Sequence, residues 1–440
     1  MLAPKRLART PTLLLLLLAA ALPSRAEVSD PASPNPEKVS GSITVWSWNI
    51  AAEALSNLVP AFNRRYPQVK VNVVNMGHGD VRDRALVVCA AGGRGLPDIV
   101  TIENQAAEQF WLQFPSCFMD LNRLGFASIN ARFPAFQKIG LSAGAKTYAM
   151  PWDAGPSAVF YRRDLFKIAG IDPQSIHTWD DFIAAGKRLK AATKGKVAMI
   201  QDDKGNDDAL FRQLAVQNGC FYFSNDGESV TISQPGCVEA LETIKKMWDA
   251  GIVSSAGWDQ KIQSFKAGLT ATEVYGGWYA GTISNNAPDQ AGKWGVFRLP
   301  AFRPGGRRAS NTGGSSLAIS SKSQNAQAAY AFIFYALATR EGQVSMLKHR
   351  GLVPALLSAT DDPYVSAPQS YWGGQAIWAE LLGTLKDVPT YRPTRYYYEA
   401  AGISVIALSN YIDGKYPSAA AALKVAADRI AASTGLPVAK

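Results

Sequence analysis

The spacing of apolar and polar residues changes period several times along the chain, and each change predicts an element. Residues 42–48 alternate, with Ile43 and Val45 on one face, as a half-buried strand does. Over residues 51–66 the period lengthens: Leu55, Leu58, Val59, Phe62 and Tyr66 recur at three-to-four spacing, which predicts a helix. Pro60 falls inside that pattern and is expected to kink or split it. Residues 69–75 alternate again, 81–91 are helical and end at Gly92-Gly93, and Asp98-Ile99-Val100 reads as a short buried strand. Alternating strands and helices predict a parallel sheet with right-handed crossovers. Ligands bind such sheets beyond the carboxyl ends of the strands. Those ends carry Trp48-Asn49, then residues 75–78 with His78, then Glu103-Asn104.

Further helices are marked downstream. Thr178 precedes Trp179-Asp180-Asp181, a capping start with acids in the first turn. Val238, Leu241, Ile244 and Trp248 share a face. Residues 323–337 are strongly periodic, and the Ala-rich stretch 419–432 reads as a packed terminal helix.

The first 26 residues stand apart. Lys5, Arg6 and Arg9 precede an apolar run over 13–22, and Ser24-Arg25-Ala26 supplies a small-x-small cleavage site before Glu27. That is the layout of a secretory signal peptide, with a mature N-terminus expected at Glu27. The run, about ten residues, is too short to span a bilayer as a permanent helix, and no Cys near the site favours lipid anchoring. The Pro- and Ser-rich residues 27–41 read as a flexible leader, with order expected from about Ser42.

Composition adds exclusions. At 440 residues, 47% hydrophobic and 18% charged, the chain is that of a globular protein rather than a disordered or fibrous one. Four basic residues leave with the signal peptide and no acid does, which brings the formal +10 to about +6. The remaining charges are scattered, without the basic block and interleaved aromatics of a nucleic-acid binder. Four cysteines, Cys89, Cys117, Cys220 and Cys237, lie in the mature part, where an oxidising compartment favours disulfides. Three pairings are open. The sequence-local one, Cys89–Cys117 with Cys220–Cys237, is expected, each bond adding roughly 3 kcal/mol on the chain-entropy account. With no CxxC and only three scattered His, no metal site is expected.

An ordered set of segments then points to a family: ITVWSWN, PQVKVNVV, LPDIVTIEN, YAMPWDAGPSAVFYRRDLFKIAGI, HTWDDF, FKAGLTA with YGGWYAG, NTGGSSLAIS and GLVPA. In this order and at these spacings the chain resembles the bacterial extracellular solute-binding proteins for carbohydrates. The resemblance implies an α/β, two-lobed periplasmic-binding-protein fold, with parallel-rich sheets flanked by helices and a hinge and ligand cleft between them. It implies a first lobe of residues 42–152 and 305–365 and a second of 153–304 and 366–440. It also implies a periplasmic monomer without cofactor that closes on a sugar and delivers it to the permease subunits of an ABC importer in the inner membrane.

The same resemblance names site residues. Trp152-Asp153, at a lobe crossing, matches a position where relatives place a sugar-bonding acid. Trp278, between glycines, matches a stacking aromatic. Gly313-Gly314 matches a double glycine at the cleft, and Arg392 a late arginine that reaches into it. With Trp48, Asn49, His78, Glu103 and Asn104 from the strand ends, these form the candidate ligand site. Flat aromatic faces cover sugar C–H faces, and ionised groups make the stronger bonds to hydroxyls. The rival class is an extracytoplasmic carbohydrate-active enzyme using Glu103 and Asp153 as an acid–base pair. Within the binding class, phosphorylated polyols, polyamines and metal ions compete with a neutral sugar, and a lactose-type disaccharide is weakly favoured by the N-terminal stretch around FPSCF.

Overall fold

The computed structural model describes residues 30–439. The proposed signal peptide and its cleavage at Glu27 lie outside the described residues. The first lobe opens with β1 (Gly41–Trp48), α1 (Asn49–Arg65), β2 (Val69–Met76), α2 (His78–Ala90) and β3 (Ile99–Glu103). β1 lies between β2 and β3 and is parallel to both. Two strands from elsewhere in the chain complete the sheet: Ser315–Ile319 runs antiparallel to β3, and Ala149–Pro151 runs antiparallel on its far side.

The helix Ala326–Ala338 packs against β1, α1 and the following helix Arg340–Arg350. Eleven of its 13 residues are buried, so it is apolar on every side, as a helix enclosed by a core must be. α1 runs unbroken through Pro60. Pro60 sits on the exposed side of the helix, where solvent can satisfy the Ser56 carbonyl that loses its amide partner.

The second lobe differs. Its central sheet places Ser157–Arg162 between Thr272–Gly276 and Trp294–Arg298, antiparallel to both. The two outer strands run in the same direction, with the helix Tyr279–Asn286 between them in sequence, so a crossover unit survives with a third strand inserted. A separate parallel pair joins Ile200–Asp202 to Val253–Ser255. The second core gathers Trp179, Phe182, Leu214, Tyr222, Ile244 and Leu423. The helix Trp179–Ala192 begins with the expected box: the Asp181 N–H donates to Thr178 Oγ1 at 3.2 Å, and the Thr178 N–H to Asp181 Oδ2 at 2.9 Å.

Both disulfides are sequence-local, Cys89–Cys117 in the first lobe and Cys220–Cys237 in the second. The chain crosses between lobes at Asp153–Ala154, a strand that pairs antiparallel with Val353–Pro354.

The leader corrects an expectation. From Asp30 onward it is laid on the first lobe instead of hanging free. Asp30 forms a two-bond ion pair with Arg132, the Tyr66 hydroxyl donates to Pro34 O at 3.0 Å, and Val39 is buried in the core. Proline-rich sequence is compatible with order when charge and hydroxyl partners from the folded body hold it.

Candidate functional site

Because β1, β2 and β3 are parallel, their last residues come together at one edge of the first lobe. β1 stops where Asn49 takes a left-handed φ of +45°, a conformation Asn tolerates, with its N–H donating to Asn75 Oδ1 at 2.9 Å. His78 opens α2 and meets Trp48 edge-on, with ring centroids 4.9 Å apart. Its Nε2 also donates to Glu103 Oε2 at 3.1 Å.

Glu103 is the centre of this cluster. Gln105 Nε2 donates to its Oε1 at 2.8 Å, and the Tyr398 hydroxyl donates to Oε2. Burial alone would push the carboxyl up. The His78 imidazole and the Tyr398 hydroxyl overcome that and hold it at about 2. The Glu103 charge in turn raises His78, against the opposing effect of burial. The Arg82 guanidinium lies 4.0 Å over the Tyr398 ring, completing a bridge between strand ends of one lobe and a helix of the other.

The crossing is built differently. Trp152 and Asp153 are consecutive in extended backbone, so their side chains point to opposite sides. Asp153 lines the cleft, and its Oδ1 accepts the Ser315 N–H at 2.7 Å. Burial pushes its carboxyl up to about 7, with that bond opposing. Trp152 faces the first-lobe core, is 1% exposed, and directs its indole N–H at Met346 Sδ, 3.1 Å away. The structure therefore corrects the reading of Trp152 as a ligand contact: its ring has no face on the cleft. Gly313 and Gly314 adopt φ of +90° and +112°, and a Cβ on Gly313 would stand 2.8 Å from Trp278 Nε1. That indole N–H donates to Thr312 O at 2.9 Å. Trp278 belongs to an aromatic group with Trp258, Tyr275 and Tyr279, with ring centroids about 6 Å away.

A cavity lies between crossing and strand ends, walled by Asn104, Gln105, Asp153, Asn311, Gly313 and Gly314, with Tyr391 opposite. As the lobes stand it has about 40 Å³ open to water, room for a few water molecules but not for a sugar ring. Admitting anything larger requires the lobes to part. Of the expected residues, Asn104, Asp153, Gly313 and Gly314 line this cavity. Trp48, His78 and Glu103 form the polar cluster beside it, Asn49 is exposed at its edge, and Trp278 abuts Gly313. Arg392 is turned away from the cavity: its Nε donates to Glu108 Oε1 and its Nη1 to Asp226 O, both at 2.8 Å.

Sequence reasoning overlooked Gln105, Asn311, Arg212 and Asp208. Arg212 Nε donates to Asp208 Oδ2 at 3.1 Å, and its Nη1 reaches across the cleft to Gln105 Oε1 at 3.2 Å. The Tyr222 and Tyr397 hydroxyls close on the same Asp208 carboxylate. A signal existed. An arginine in a run with Leu210, Phe211, Leu214, Ala215 and Val216, four residues after an acid, announces a buried ion pair.

Comparison with known proteins follows the same lines. The sequence profile of the bacterial extracellular solute-binding proteins matches residues 47–343. A lactose-binding protein of Rhizobium radiobacter is 30% identical over 359 residues, covering 79% of this chain and 83% of that protein. An arabinooligosaccharide-binding protein of Bacillus subtilis is 26% identical over 335 residues, 72% of this chain and 75% of that one. Among solved structures, the ABC-transporter-associated binding protein of Bifidobacterium animalis subsp. lactis in complex with β-1,6-galactobiose superposes with a TM-score of 0.78. It is 27% identical, over 91% of this chain and 100% of that one.

Proposed function

Since the chain belongs to the bacterial extracellular solute-binding protein family, we propose that it captures a disaccharide or small oligosaccharide, lactose-type first, and hands it to the permease of an ABC importer. The observation that carries this reading is the cleft itself. Polar groups of both lobes converge at the carboxyl ends of parallel strands, around a cavity with Tyr391 and the Trp278 aromatic group at hand. Relatives named for lactose and arabinooligosaccharides support a neutral sugar over a phosphorylated polyol or polyamine. Residues 42–152 with 305–365 and residues 153–304 with 366–440 would move as the two halves, hinged where Asp153–Ala154 pairs with Val353–Pro354. The protein would act in the periplasm as a monomer, without cofactor and without altering its ligand. No helix among the described residues is long and apolar enough to cross a membrane.

Asn104, Asp153, Gly313 and Gly314 would contact sugar directly, with His78, Glu103, Trp48, Asn49 and Trp278 around them. The test is calorimetric titration with lactose, arabinotriose and β-1,6-galactobiose, together with glycerol 3-phosphate and spermidine. Micromolar or tighter binding of a sugar alone is expected. Binding of only the charged solutes would overturn the sugar reading.

One observation favours the enzymatic alternative: Glu103 held at about 2 and Asp153 at about 7 are split as an acid–base pair would be. Chromatography of each sugar after prolonged incubation tests it, and intact sugar is the expected outcome.

A further inference from the structure

We propose that Gln137 is a ligand-contacting residue, its side-chain amide bonding two hydroxyls of the captured sugar; this rests on the sugar-binding reading above. Gln137 lies in a short 3₁₀ turn, Ala135–Lys138, and is one of the residues that line the cavity. The residue is 3% exposed. Yet neither Nε2 nor Oε1 has a hydrogen-bond partner among the described residues.

The neighbouring amides are all engaged. Asn104 Oδ1 accepts from the Ser316 hydroxyl. Gln105 donates to Glu103 and accepts from Arg212. Asn311 accepts the Gly155 N–H and donates to Gly313 O and the Tyr391 hydroxyl. Those bonds serve the fold. Gln137 has no such service, and each buried polar group left unpaired costs roughly 1–3 kcal/mol. A methionine would fill nearly the same space without that cost.

The chemistry of the missing partner can be read from the amide. Nε2 only donates and Oε1 only accepts. An anion would satisfy the first alone and a cation the second alone. A pair of hydroxyls, each able to donate and accept, satisfies both. Phe136 and Ile139, on the same cavity wall, add apolar surface suited to the C–H face of a sugar ring. Gln137 thus suits a ligand that presents neighbouring hydroxyls, which a polyamine lacks.

The experiment is calorimetric titration of the mature chain and of Gln137→Met with lactose and arabinotriose, alongside thermal melts of both sugar-free proteins. Expected is a loss of about tenfold or more in affinity for whichever sugar the wild type binds. The sugar-free melting temperature should hold or rise, because an unpaired amide has been removed. Gln137→Glu, which keeps the acceptor and loses the donor, should also bind more weakly, and it serves if the methionine variant fails to fold. Affinity within twofold of wild type in the folded variants would overturn the assignment while leaving the sugar reading intact. A wild type that binds no sugar would overturn both.

Discussion

Two carboxylates mark two regions of the cleft, and their surroundings differ in kind. At the lip, Glu103 is bonded by three neighbours, His78, Gln105 and Tyr398, and Arg82 covers the tyrosine ring. At the floor, Asp153 is 5% exposed and leans on the Ser315 N–H. The lip is a charged, satisfied network shared between lobes, while the floor is a buried acid beside an apolar core. Charge that is already paired holds lobes together. Charge that is underpaired has bonding capacity left for a ligand. The cleft divides these tasks between its two regions.

The sharpest way to break the comparison is at the floor. Trp152→Ala removes a fully buried ring from the first-lobe core and should cost about 3–5 kcal/mol in folding stability. Urea denaturation reads this directly. A loss under about 1 kcal/mol, with sugar affinity abolished, would return Trp152 to the ligand side.

The two acids should next show opposite dependence on pH. Glu103 is held at about 2, below its ordinary 4.5, so its stabilisation is present above 4.5 and is lost as pH falls toward 2. Asp153 sits at about 7, above its ordinary 3.8, so the folded protein favours the protonated acid and loses stability as pH rises from 3.8 through 7. Each contribution is on the order of a few kcal/mol. Melting temperature followed across pH should therefore fall at the acid end in wild type and much less in Glu103→Gln. Asp153→Asn should flatten the decline toward neutrality. If both variants kept the wild-type profile, the contrast between lip and floor would have no electrostatic basis.

How much of this was legible beforehand depends on local pattern. β1 to β3 announce themselves by alternation and by the helices between them, and their ends named Trp48, His78 and Glu103 correctly as neighbours. The strand Ser157–Arg162 is buried at all six positions, so its pattern carries no information about which strands flank it. The antiparallel second sheet followed from contacts more than a hundred residues away in sequence. Trp152 was misassigned by treating a Trp-Asp pair as one unit, although extended backbone sends adjacent side chains apart. Gln137 sits in a segment without periodicity, and only its burial makes it conspicuous.

Trp278 tests the boundary between the two regions, with a smaller expected effect. It abuts Gly313 on one side and packs against the first-lobe core and the cluster of Tyr275, Tyr279 and Trp378 on the other. Trp278→Ala should lower sugar affinity by about 2 kcal/mol, as loss of an aromatic anchor does. Its stability loss should fall below that of Trp152→Ala, because Trp278 is only partly buried. Equal destabilisation by the two substitutions would make Trp278 a core residue as well.

The smallest effect is expected at Arg392, and it separates a latch from a ligand contact. Arg392 bonds Glu108 across the cleft with its own side chain 37% exposed, so solvent screens the pair and its worth is about 1 kcal/mol or less. Glu108, however, is nearly buried, at 6%, and loses its one ion-pair partner among the described residues when the guanidinium goes. Parting the lobes would let water reach that carboxylate, so Arg392→Gln should shift the sugar-free protein toward open forms. Small-angle scattering should then give a larger radius of gyration, while sugar affinity drops less than tenfold, because the contacts to sugar remain. A ligand-contacting arginine would behave in the reverse way, with compactness unchanged and affinity falling tenfold or more. The two measurements on one variant therefore decide whether this residue belongs with the paired charges that hold the lobes or with the groups that hold the sugar.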